Sequence, residues 1–173
     1  MIASDLSFLF FSILPALVVG GLAFYFFHTN SRNEELRRRF LLHRENQKTA
    51  LPIKLQAYER MTLFLERISP GKILFRIKPV SEDVRSYTNL IVGTIEQEFD
   101  HNLAQQIYVS ADCWDYIKTA KNATIGLVRK ASTQEEVTTP DKLREVILTA
   151  LIEKPAPTDA ALAFIKKEVR NIV

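Results

Sequence analysis

The sequence predicts an all-α chain: one N-terminal transmembrane helix, a helical stalk and a cytoplasmic multi-helix domain. Three observations predict it. From Leu6 to Phe27 run 22 residues without a charged side chain. Beyond residue 52, apolar residues recur three and four apart behind helix-capping Ser, Thr and Pro. Only 5 glycines occur in 173 residues, which leaves little turn chemistry for β-hairpins.

The first element is the apolar run itself. At ~1.5 Å per residue it reaches roughly 33 Å, enough for a ~30 Å hydrocarbon core. A cleaved signal peptide fits poorly. Its leading segment should be basic and its apolar core ~7–15 residues long, whereas Met1–Asp5 carries only an acid and bulky aromatics fill the place of a cleavage site. The run reads as a retained anchor over residues 1–28. Within it Ser12, Ala16 and Gly20 recur every four residues, so they share one helical face on which a second span, from another membrane protein or its own copy, can pack closely.

Charge then orients the chain. No Lys or Arg precedes the run, while Arg32, Arg37, Arg38, Arg39, Arg44, Lys48 and Lys54 follow it. Basic flanks stay on the cytoplasmic side, which places the N-terminus outside and the rest in the cytoplasm. Arg32, Arg37, Arg38, Arg39 and Arg44 are the residues expected at the anionic lipid surface, each gaining ~1 kcal/mol there. Residues 29–52 read as a basic juxtamembrane stalk. Glu34–Arg38 and Glu35–Arg39 stand four apart in the favourable helical order, and Leu51-Pro52 is the expected end of that helix.

The same count bears on nucleic acid. The chain carries a net charge of +3, but residues 55–173 hold 16 basic and 16 acidic side chains. The surplus lies beside the membrane segment, so no nucleic-acid partner is expected. The single cysteine, Cys113, cannot close an intramolecular disulfide, so nothing demands an oxidising compartment.

Residues 53–173 then supply one helix after another. Ala57, Met61, Phe64 and Ile68 form a stripe flanked by Tyr58 and Leu65. After Ser69-Pro70-Gly71, the stretch "KILFRIKP" fits a strand by alternation or a short helix by capping, and residues 72–79 stay open between strand, helix and loop. Ser81 is expected to cap the next long helix, with Val84, Tyr87, Ile91, Ile95 and Phe99 buried. Ser110 opens another, carrying Trp114, Ile117, Ala120, Ile125 and Val128 inward. Thr139-Pro140-Asp141 opens a further one, with Leu143, Val146, Ile147, Ala150 and Leu151. Thr158 is expected to cap the last, where Leu162, Ile165, Val169 and Ile172 repeat at heptad spacing.

Candidate chemistry is sparse. Glu98 and His101 make a Glu-x-x-His pair, but a di-iron bundle needs a second copy and two more carboxylates. The other histidines, His28 and His43, have no Glu three residues before them. Ser110 and Cys113 lack a base placed on them by sequence. No phosphate loop, Cys-x-x-Cys or His-Glu-x-x-His occurs. Neither a catalytic residue, a cofactor nor a metal ligand is expected. Glu59-Arg60 and Glu66-Arg67 repeat seven residues apart, and neither acid has a base three or four positions away. These four are the candidate residues for docking a partner.

The segments "LPIKLQAYERMTLFLERISP" (51–70), "IEQEFDHNLAQQIYVS" (95–110) and "TPDKLREVIL" (139–148), behind one N-terminal span, resemble a family of small uncharacterised single-span bacterial inner-membrane proteins with a domain of unknown function. The resemblance covers nearly the whole chain and implies a bacterial inner-membrane location. It supplies no activity, ligand or catalytic residue. The reading that follows is a membrane-anchored scaffold or accessory subunit that docks a cytoplasmic protein partner. A membrane-tethered enzyme and a membrane tether for nucleic acid or ribosomes are the alternatives.

Overall fold

The computed structural model describes the backbone of residues 2–172 and, within 2–50, the side chains at 13, 15, 17–28, 37, 41 and 48–50. Every regular element among the described residues is helical. They are α1 (Ile2–Ile68), α2 (Pro70–Arg76), α3 (Val84–His101), a 3-10 helix (Leu103–Ile107), α4 (Ala111–Ser132), α5 (Pro140–Glu153) and α6 (Asp159–Ile172). The chain divides into two compact units, residues 1–50 and 51–173.

In the first unit the described large apolar side chains face outward. Ile13, Leu17, Val18, Val19 and Leu22 are exposed, as are the aromatics Phe24 to Phe27. No helix among the described residues is long and apolar enough to cross a membrane. Ser12 and Ala16 of the small-residue stripe lie outside the described side chains, as do Arg32, Arg38, Arg39 and Arg44. Arg37 is exposed, and a Cβ built on Gly20 meets nothing within 4 Å.

The expected break at Leu51-Pro52 does not occur, because Pro52 lies inside α1. A proline costs a helix interior ~3 kcal/mol. Pro52 itself is exposed, the first buried side chains follow at Ala57 and Tyr58, and Met61, Phe64, Leu65 and Ile68 beyond them are buried to within 1 %.

The second unit is one core around these side chains. Ile73 and Leu74 of α2, Tyr87, Ile91 and Ile95 of α3, Ile117 and Val128 of α4, and Leu143 and Ile147 of α5 join it, with Ala161 and Ile165 of α6 closing the far side. Nearly every stripe read from the sequence is buried or half-buried here. Of the strand, helix and loop left open for 72–79, the structure shows helix to Arg76 and irregular chain beyond it. Pro70 starts a seven-residue helix ending at Arg76, with Ser69 in the capping position but making no side-chain cap bond. Ile77 then turns extended, where the Tyr87 hydroxyl donates to its carbonyl at 2.7 Å.

Two capping expectations need correction. Asp83, not Ser81, caps α3: its carboxylate accepts the Arg85 and Ser86 N–H groups at 3.3 and 2.9 Å. A carboxylate can accept two orphan donors at once where a serine hydroxyl usually takes one, and the Ser86 hydroxyl, which also donates to Asp83, together with these N–H bonds holds its carboxyl below the usual carboxylate pKa. Thr158 does not cap α6 with its side chain. It is buried, its Oγ1 has no partner among the described residues, and only its carbonyl meets Leu162 N–H, at 3.1 Å. Asp159 instead folds back to accept the Ala156 N–H at 3.0 Å. Ser110 and Thr139 do cap α4 and α5, accepting Cys113 N–H at 3.0 Å and Lys142 N–H at 3.2 Å.

Candidate docking face on α1

Two grooves run along α1 at the edge of the core. The first, about 320 Å³, is lined by Gln56, Glu59, Arg60, Leu63, Phe64 and Arg67 of α1, with Glu98 and Asn102 at the end of α3. Phe64 is buried, whereas Leu63 is 52 % exposed. The second, about 350 Å³, lies between Leu55, Tyr58, Glu59 and Thr62 of α1 and Ile165, Lys166, Val169 and Arg170 of α6. Glu59 lines both.

Three of the four predicted docking residues, Glu59, Arg60 and Arg67, thus line one groove; Glu66 does not. Glu66 instead accepts from Lys72, six residues on, across the α1–α2 corner. Arg67 donates to Glu98 at 3.2 Å, and Arg76 reaches the other oxygen of the same carboxylate at 3.1 Å. One acid therefore ties α1 and α2 to α3. Exposed pairs of this kind are worth ~0–1 kcal/mol each, so they set side-chain positions more than stability. Glu59 and Arg60 are exposed and make no ion pair among the described residues.

Below this face sits a polar cluster that the sequence did not reveal. Glu168 of α6 accepts from the Tyr58 hydroxyl at 2.8 Å and from the Ser110 hydroxyl, while Ser110 Oγ also caps α4. A single carboxylate joins α1, the start of α4 and α6. Tyr58 and Glu168 lie 110 positions apart, and no local pattern relates residues at that distance. Burial, with the bond to Glu168, pushes the Tyr58 hydroxyl well above its ordinary range.

Cys113 is fully buried beside the cluster. Burial, with the Glu168 charge, pushes its thiol up to about 12. Since the thiolate is the nucleophile, this cysteine is inert near neutrality. The same shift has a consequence for stability. The folded state holds its proton to higher pH than the unfolded state, so stability is full below about pH 9 and falls as pH rises toward 12. Cys113→Ala is expected to flatten that alkaline decline in urea melts at a series of pH values. An unchanged slope would remove the thiol as a contributor.

The Glu98–His101 pair does not assemble further. Glu98 is occupied by two arginines and His101 is exposed. No group of three or more His, Cys, Asp or Glu side chains placed for a metal occurs among the described residues.

The family of unknown function DUF7935 matches residues 4–172. The chain belongs to this family. A match of that extent takes in both units, so the candidate docking face and the apolar N-terminal run are parts of a single DUF7935 chain. No curated protein and no solved structure matches it.

Proposed function

We propose that this DUF7935 chain is a membrane-anchored scaffold or accessory subunit, without catalytic activity of its own, that docks a cytoplasmic protein through α1. The observation that carries the docking reading is the first groove. It combines an exposed Leu63, a buried Phe64 floor and charges of both signs on one helix face. Interfaces of this kind pair apolar anchors with a polar rim. The anchoring reading rests on the uncharged run Leu6–Phe27, followed by seven basic residues before position 55. Basic flanks of that sort put the second unit on the cytoplasmic side of a single-pass inner-membrane protein, with its N-terminus outside, as the resemblance to single-span bacterial membrane proteins also implies.

Charge reversal tests the docking face. Arg60→Glu is the cleaner variant, because Arg60 makes no ion pair among the described residues and Arg67→Glu would set a second carboxylate against Glu98. Truncating an interface anchor costs ~2 kcal/mol or more, roughly 30-fold in affinity. In-cell crosslinking of the tagged full chain, followed by mild-detergent purification, should lose its partner with Arg60→Glu and more completely with Arg60→Glu/Arg67→Glu. Thermal stability should change little. His101→Ala and Cys113→Ser should preserve the phenotype, and loss of function from either in a folded protein would point to catalysis instead.

A further inference from the structure

We propose that the exposed face of α1 between residues 56 and 67 pairs, in parallel, with the same face of a second copy of this chain. The pairing rests on the docking reading above and names the partner. Leu63, 52 % exposed, stands at the middle of that face. At about 100° per residue, Glu59 and Glu66 fall about 40–60° to one side of it, and Arg60 and Arg67 about 40–60° to the other. Gln56, one heptad before Leu63, continues the midline. The face therefore has an acidic edge and a basic edge, with an apolar side chain between them.

Symmetry selects the orientation. When two copies pair about a two-fold axis parallel to the helices, each edge meets the opposite edge of the other copy. Glu59 then stands within one residue's rise, ~1.5 Å, of the height of Arg60 in the second copy, and Glu66 of Arg67. An antiparallel pair would set acid on acid and base on base. Flanking charges choose the orientation of helix pairs in this way. The groove walls follow the same rule: Glu98, shared with Arg76, stands beyond the arginines, while Lys166 and Arg170 stand beyond Glu59. Within the chain Glu66 has Lys72 and Arg67 has Glu98. The exposed Glu59 and Arg60, which make no ion pair among the described residues, are the charges left for a partner. Parallel pairing also points the N-terminal ends of both α1 segments the same way, as two copies anchored in one membrane require.

A disulfide reads this directly. Leu63→Cys puts a thiol beside the two-fold axis, and Cys113, fully buried, does not compete with it. Two differently tagged copies of the full chain carrying Leu63→Cys are made in the same cells and oxidised as soon as the cells are broken. The expected result is a linked pair. Arg60→Glu in both copies, or Glu59→Arg in both, should lower its yield roughly tenfold or more, because the axis repeats each like-charge contact. A copy with Arg60→Glu and a copy with Glu59→Arg should link to each other at the parent yield and not to themselves. A foreign partner would not answer that exchange. A yield that ignores both reversals would mean that contacts elsewhere bring the copies together, and would overturn the pairing. A stronger link with Arg60→Glu alone would mean antiparallel helices and would overturn it too. If no link forms while Arg60→Glu in the parent chain still releases another protein, the pairing fails and the docking face stands. If neither effect is seen, the docking face fails with it.

Discussion

Phe99→Ala is expected to destabilise the second unit by about 3–5 kcal/mol, the usual cost of emptying a buried aromatic site. The ring sits where three helices meet. It packs on Phe64 of α1 with centroids 5.7 Å apart and stacks on Trp114 of α4 at 5.3 Å. The Lys121 ammonium lies 4.6 Å from its centroid and is held there by Glu96 at 2.7 Å. Aromatic pairs add ~0.5–1.5 kcal/mol beyond the area they bury, and the cation adds a similar amount. Small domains keep only ~5–15 kcal/mol in total, so the loss would consume a large share. Urea unfolding of the full chain in detergent, followed by Trp114 fluorescence, measures it. Phe99→Leu should recover much of the loss, because it refills the site without the ring contacts. A cost below ~1.5 kcal/mol for Phe99→Ala would mean that the junction collapses around the missing ring.

Glu168→Ala is expected to cost about 2–4 kcal/mol. Hydrogen bonds to a charged group contribute ~1.5–3 kcal/mol each, and deleting the acceptor leaves its donors to be satisfied some other way. Tyr58 is only 4 % exposed, so its hydroxyl would be left with little water. Ser110 would still cap α4 through Cys113 N–H, which keeps the loss from doubling. Glu168→Gln should cost less, because the amide oxygen can still accept one of the two hydroxyls. Tyr58→Phe in the Glu168→Ala background supplies the check. Removing the stranded hydroxyl should restore part of the stability, and a further loss of the same size as in the parent chain would show that the two residues do not act together.

The four candidate docking residues show how a site can be read in part. Their seven-residue repeat was visible in the sequence, and so was the absence of a helical partner for either acid. Which of them face a groove was not visible, because that depends on where α3 crosses α1. Glu98 reads in the sequence as half of a Glu-x-x-His pair and in the fold as the acceptor for two arginines. Gln56 and Leu63 could have been added from the stripe itself, since they sit seven apart on the same face.

By itself the sequence determined the helical class, the order of the helices in the second unit, nearly all of the buried stripes and the caps at Ser110 and Thr139. Those features follow from side-chain spacing and from hydrogen bonds across three or four residues, both of which are local. The capping of α3 by Asp83 rests on bonds just as local, two and three residues long, whereas the tertiary structure decided the burial of Thr158, which does not cap α6, and the meeting of Tyr58, Ser110 and Glu168. These last two turn on packing or a long-range contact that outweighs a local preference. A threonine at a helix start loses its capping role when packing buries it, and a carboxylate bridging three helices has no counterpart in any short window of the chain.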